Sequence, residues 1–171
     1  FDVVSLAQAG VKAVVATLGT AISTEHLQLL FKYTHELIFC LDGDRAGRAA
    51  AWRALELCLP LMNDHRRVKF LFLSEQEDPD TYVRQHGGKA FLTALQQAEP
   101  LSVVFFGHFL QTADLMTPEG KAHFVAQIKP LLAKLPAEGL LRNMMQQRLR
   151  ELLGDAPKVA TKTDHKRRTA L

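Results

Sequence analysis

Leu37-Ile38-Phe39-Cys40-Leu41-Asp42-Gly43-Asp44-Arg45-Ala46-Gly47-Arg48 is the stretch that decides the fold. An unbroken apolar run leads straight into two carboxylates set two positions apart. Such a run predicts a strand covered on both faces, the kind that builds parallel sheets. After Asp44 the composition turns to Arg, Ala and Gly. That change opens a helix running to about Leu61, with Trp52, Leu55 and Leu59 on its inner face. Gly43 lets the backbone turn sharply between the two acids. In an open parallel sheet, ligands bind beyond the carboxyl ends of the strands. Asp42 and Asp44 stand at such an end.

The same grammar extends in both directions. Residues 2–9 read as a helix stopped by Gly10, and Ala13 to Ala16 as a short buried strand. Thr17 to Thr20 is a turn. Ser23 then caps a helix whose inner face is Leu27, Leu30 and Phe31. Val68 to Leu73 is the third apolar strand. Strands alternating with helices predict an α/β fold, a parallel sheet flanked by helices on both faces. Beyond residue 79 no further strand is expected. Helical segments fit 79–86, 89–98, 101–112, 118–134 and 137–153, punctuated by Gly87-Gly88, Pro100, Pro118 and Pro136. The division expected is an α/β unit over 1–98, a helical unit over 99–155, and a basic linker over 156–171.

Composition narrows the class. The chain has 171 residues, 47% of them hydrophobic and 23% charged, which is a globular rather than a disordered balance. Its net charge of +3 is unevenly placed. Residues 156–171 hold five basic side chains and one acid, a net +4, which leaves sixteen basic against seventeen acidic, or −1, for the rest. The basic character therefore belongs to the tail and the body is nearly neutral. No apolar run reaches the roughly 18–20 residues of a membrane span, and the start lacks the basic region of a signal peptide. Cys40 and Cys58 sit among apolar residues without metal-ligand spacing. They read as reduced core thiols of a cytoplasmic protein. The seven histidines show no ligand spacing, so zinc is not expected in this stretch. Because the first residue is Phe1, the chain reads as part of a longer protein.

The acids carry the chemistry. Two carboxylates about 5 Å apart repel by roughly 3 kcal/mol at an effective dielectric near 20. A divalent cation turns that repulsion into binding, and magnesium favours few carboxylates shared with water and phosphate oxygens. A second acidic group, Glu75, Glu77, Asp78 and Asp80, follows the third strand. In a parallel sheet it emerges on the same edge as Asp42. A plainer account also exists: Asp44 and Asp78 are good helix N-caps, with Pro79 at the first helical position. That account leaves the other acids without a role. Arg45 and Arg48 lie in the first helical turn, where cations oppose the helix dipole. Either a phosphate bound at the helix terminus or pairing with Asp42 or Glu75 would compensate. In the helical part, Leu101, Val104, Phe105 and Phe109 form an apolar face with His108 beside it, which reads as core.

These residues together resemble the bacterial replicative DNA primases, in the Toprim part of their RNA-polymerase domain. The matching elements are Phe1-Asp2-Val3-Val4, Thr17-Leu18-Gly19-Thr20 and His26 to Phe31. Asp42 to Arg48, Ala51 to Glu56, Glu77 to Thr81 and Pro100-Leu101-Ser102 complete them. The resemblance spans about residues 1–155. It implies a Toprim-type α/β sheet followed by an all-helical subdomain. It implies template-directed joining of ribonucleotides into short RNA primers on single-stranded DNA at a bacterial replication fork. It assigns Asp42 and Asp44 as catalytic and, with Asp78 and Asp80, as ligands of Mg²⁺ or Mn²⁺. Arg45 and Arg48 become candidates for nucleotide phosphate. The partners implied are a DNA template, ribonucleoside triphosphates and an RNA primer. The resemblance places zinc in an amino-terminal domain outside the chain and helicase contact in a carboxy-terminal one, and it implies no membrane contact. It also implies a Glu-Gly-Tyr-x-Asp motif that the chain enters at its fourth position, with Phe1 and Asp2, so the essential Glu lies outside and the chain by itself is expected not to prime.

Other readings keep distinct signatures. A haloacid-dehalogenase-like phosphatase also places Asp-x-Asp after an apolar strand, but expects Thr or Val where Ala46 stands. Other Toprim enzymes share the acids but need a tyrosine setting that Tyr33 and Tyr82 do not offer. From a different class, the chain would be a non-catalytic scaffold binding a protein partner through its helices. Metal binding that depends on Asp42 separates these readings.

Overall fold

A computed structural model describes residues 2–17, 21–74 and 77–154. The elements come in the order α1 (Asp2–Gln8), α2 (Thr24–Leu30), β1 (Glu36–Leu41), α3 (Arg45–Cys58), β2 (Arg67–Phe72), α4 (Pro79–Gln96), β3 (Glu99–Pro100), α5 (Leu101–Leu110), α6 (Pro118–Leu132) and α7 (Leu140–Leu152). The turn expected at 17–20 lies largely outside the described residues, as do Glu75 and the basic segment 156–171.

The sheet is mixed rather than purely parallel. Its order is β1-β2-β3. β1 and β2 run parallel in the register Glu36↔Arg67 to Leu41↔Phe72. β3 is antiparallel to β2 and pairs Lys69 with Pro100 and Phe70 with Glu99. That edge strand was not expected. It is two residues long, too short for any apolar alternation, and Pro100 is tolerated because it sits at an edge. The strand expected over Ala13 to Ala16 does not form. Val15 is 69% exposed. A strand needs a ladder partner, and no described strand pairs with this segment.

Side-chain alternation along β1 explains how the sheet is covered. Leu37, Phe39 and Leu41 face one core, while Ile38 and Cys40 face the other. The first core joins α2, α3 and β2 to α5, α6 and α7. The second packs α1 and α4 on the opposite face. Phe39 stacks on its register partner Phe70 with ring centroids 5.2 Å apart, a favourable cross-strand pair.

Four of the helices start at a side-chain cap, at Ser23, Asp44, Asp78 and Thr117. Ser23 Oγ accepts from His26 N–H while His26 Nδ1 accepts from Ser23 N–H, a reciprocal capping box on α2. Thr117 caps α6, with Pro118 at the first helical position. α3 buries Gly47, Ala51, Ala54, Leu55 and Cys58, so its small residues bring it close to the sheet. The two helices expected over 79–98 join across a kink at Gly87, whose φ of 81° suits glycine. The apolar face expected on α5 is present: Leu101, Phe105 and Phe109 are buried, with Phe106 added. Among the described residues, no helix is long and apolar enough to cross a membrane.

Candidate metal and nucleotide site

Parallel pairing puts the ends of β1 and β2 side by side. Leu73 N–H donates to the Leu41 carbonyl at 2.9 Å just where both strands stop. Asp42 follows one strand, and Leu73 and Ser74 follow the other on the way to Asp78. Two glycines press these segments together. A Cβ on Gly43 would overlap the Leu73 carbonyl oxygen, and a Cβ on Gly47 would overlap the Asp42 carbonyl oxygen. The spacing Asp42-Gly43-Asp44-x-x-Gly47 is therefore a packing requirement. The first turn of α3 sits on the Asp42 peptide, and the Gly43 turn sits on the end of β2.

The carboxylates have distinct environments. Asp44 caps α3, its Oδ1 accepting from Gly47 N–H at 2.6 Å. Asp78 caps α4 in the same way, accepting from Thr81 N–H at 2.6 Å. Both capping roles expected from the sequence are thus present. Asp78 is held below the usual carboxylate range, chiefly by that backbone bond. Asp42 is pushed above it, first by burial and then by the fields of Asp44, Asp78 and Asp2. Asp80 gives Oδ2 to Arg84 at 3.1 Å. Its Oδ1 is buried and has no hydrogen-bond partner among the described residues.

The expected acids do not all join the site. Glu77 turns away, accepting from Ser74 Oγ and pairing with His86 Nε2 at 2.7 Å. Glu75 lies outside the described residues. Asp2, quoted above in a matching element but not counted among the ligands, adds its charge to the same edge. Only the fold brings it there, across α1. Among the described residues, no three His, Cys, Asp or Glu side chains converge closely enough to hold a metal ion. The caps explain this, because Asp44 and Asp78 each direct one oxygen at a helix terminus. The remaining features still fit a cation. One carboxylate is destabilised by burial and by three others, and one buried carboxylate oxygen has no partner among the described residues.

Arg45 is exposed at the start of α3. Arg48 lies over the Phe72 ring, 4.9 Å from its centre. Among the described residues neither makes an ion pair, so the expected pairing with Asp42 is not made, while pairing with Glu75 lies outside the described residues. The two thiols are structural. Burial pushes Cys58 up to about 12, and Cys40 likewise to about 12 with help from Asp42 and Asp2.

Comparison with known proteins points to one family. A family described as Toprim-like matches residues 1–83. One described as the DnaB-helicase binding domain of primase matches residues 103–154. A DNA primase of Pseudomonas aeruginosa is 52% identical over 154 residues, covering 90% of this chain and 23% of the relative. The DNA primase of Escherichia coli K12 is 48% identical over 153 residues, covering 90% and 26%. The solved DnaG catalytic core superposes with a TM-score of 0.86 at 48% identity, covering 90% of this chain and 49% of that one. A DnaG primase catalytic domain bound to single-stranded DNA gives 0.86 at 48% identity, covering 90% and 48%. The chain thus spans about a quarter of the curated relatives and about half of the solved chains. The superposition covers 90% of the chain, so it takes in both the sheet and the helices that follow it. The chain belongs to the bacterial DNA primase family, of which it carries a Toprim-like unit and the helical region that follows.

Proposed function

We propose that this chain contributes the metal and nucleotide site of a primase, which joins ribonucleotides into short RNA primers on single-stranded DNA. The observation that supports the reading is the Asp42 carboxyl at the sheet edge, raised first by burial and then by the charges of Asp44, Asp78 and Asp2. In the reaction, the primer 3′-oxygen bonds to the α-phosphorus of the incoming nucleotide, and the bond from that phosphorus to the bridging oxygen breaks to release pyrophosphate. A bound Mg²⁺ or Mn²⁺ supplies neutralisation of the triphosphate charge. Asp42, Asp44, Asp78 and Asp80 are the residues that would hold it. Asp44 also braces α3 through one of its oxygens. Arg45 and Arg48 lie where α3 presents its amino terminus, a favourable place for phosphate oxygens. A titration with Mn²⁺, read by water-proton relaxation and by calorimetry, tests the site. Binding should weaken at least tenfold in Asp42→Asn with the circular dichroism unchanged. Equal binding by both proteins overturns the assignment.

A second role is supported by the match over residues 103–154. The sequence expectation put helicase contact in a domain outside the chain, whereas this similarity lies within it. α7 offers Leu140 and Met144, 62% and 51% exposed and one helical turn apart, as an apolar contact. Co-migration of the chain with a replicative helicase, lost in Leu140→Glu/Met144→Glu, is the expected outcome. Co-migration that survives both changes removes α7 from that contact.

A further inference from the structure

Along α3 a stripe of another character leads away from the acids. Arg45, Arg48 and Trp52 stand at i, i+3 and i+7 and share one helix face. Arg48 covers Phe72. Trp52 stacks on His108 of α5, with ring centroids 3.9 Å apart and planes within 15°. The indole is held in place by Phe109, edge-on at 5.4 Å, and by Phe105 at 6.1 Å. Trp52 is half-buried and His108 is exposed. The pile of rings therefore begins in the core and ends in an imidazole open to solvent.

Core packing accounts for Trp52 but not for the ring laid on it, since an exposed histidine removes little apolar area from water. The arrangement suits a different task. Flat rings accept any nucleobase by stacking, and nearby arginines take the phosphates. The carboxylate one turn further along the same face, Glu56, is engaged by Lys134 at 3.4 Å. From the Asp44 cap to Trp52 the helix rises about 12 Å at 1.5 Å per residue, roughly three to four nucleotide steps of 3.4 Å.

We infer that Trp52 and His108 form a base-stacking platform which, with Arg48, positions a single nucleic-acid strand beside the acidic edge. This rests on the reading of that edge as a nucleotide site, and it needs neither metal nor chemistry to be tested. Trp52 is the chain's single tryptophan, so indole emission reports the platform alone. The chain is titrated in low salt, without divalent cations, against unlabelled dT8 and rU8 for emission. End-labelled copies of both give affinity by anisotropy. Emission should change over the same concentration range in which anisotropy rises. His108→Ala should weaken binding about fivefold or more, while His108→Tyr, which keeps a stacking ring, should retain it. Arg48→Gln should lower the slope of log affinity against log salt by about 0.7. A response to dT8 alone assigns the platform to the template strand, to rU8 alone to the primer, and either upholds it. Binding with unchanged emission, affinity indifferent to His108→Ala, or no binding of either oligomer overturns it. Asp42→Asn should keep the emission response, so the loss of metal binding and the loss of stacking are read separately.

Discussion

Asp64 caps α7 at Leu140 across 76 residues of sequence: Leu140 N–H donates to both carboxylate oxygens, at 2.8 and 3.0 Å, and Leu141 N–H to Oδ1 at 3.0 Å. The residue at the capping position, Gly139, has no side chain to do this. Its φ of +127° favours glycine, and a Cβ there would meet Asp64 Oδ1 at 3.1 Å. A loop of the α/β unit thus supplies the helix terminus that the helical region lacks.

The cap gives a pH dependence with a definite sign. The bonds from Leu140 and then Leu141 hold the Asp64 carboxyl below its ordinary value. A depressed carboxyl stabilises the fold above its unfolded value of about 3.9 and ceases to do so as pH falls through the folded one. Asp64→Ala should therefore lower Tm at pH 7, with the gap to the parent narrowing below about pH 4. Amide exchange at Leu140 and Leu141 should quicken in the variant. A gap that stays constant with pH would show that the charge of Asp64 is not what caps α7.

Gly47→Ala tests the packing that joins the acidic loops. Inside an ordinary helix this change gains about 1 kcal/mol. Here the new Cβ would overlap the Asp42 carbonyl, and backbone cannot yield as a flexible side chain does. The expected outcome is a loss of about 2 kcal/mol or more in urea unfolding, together with weaker Mn²⁺ binding. A neutral or stabilising result would mean that the first turn of α3 is not pressed against Asp42.

Asp42→Asn should trade stability against binding. At pH 7 without divalent cations the parent keeps a carboxylate disfavoured by burial and by Asp44, Asp78 and Asp2, so the variant should melt higher. Saturating Mg²⁺ should raise the Tm of the parent by linkage and leave that of the variant in place. The order of stability then reverses with the ion. A variant that melts lower in the absence of metal would show that the acids do not repel one another across this edge.

How much of this was legible in sequence follows from which forces are local. The caps at Ser23, Asp44, Asp78 and Thr117 act within three residues, and the sequence reading already had the first three. The apolar runs marked β1 and β2 because burial on both sheet faces leaves no alternation to mistake. β3 was missed because two residues, one of them Pro100, carry no period. Ala13 to Ala16 was misread because an apolar run signals a strand only where a partner strand exists. At the site, the meeting of Asp42 with Asp78 was inferable from parallel pairing. The turn of Glu77 toward His86, the approach of Asp2, and the capping of α7 by Asp64 depend on contacts between distant segments, which no local pattern encodes.

The α/β and helical parts should unfold together. Phe105 of α5 is fully buried and belongs to one continuous core with Leu55 of α3, Phe70 of β2, Ile128 of α6 and Met145 of α7. Phe105→Ala leaves a cavity at the junction and should cost about 3–5 kcal/mol. Because that core crosses from the sheet into the helices, the loss should appear in one transition. Trp52 emission, which reports α3 and α5, and far-ultraviolet circular dichroism, which reports all helices, should shift to the same lower denaturant midpoint. If only the emission midpoint moved while most of the helical signal melted as before, the two parts would be separate folding units. The shared core would then be a docking contact instead of a common interior.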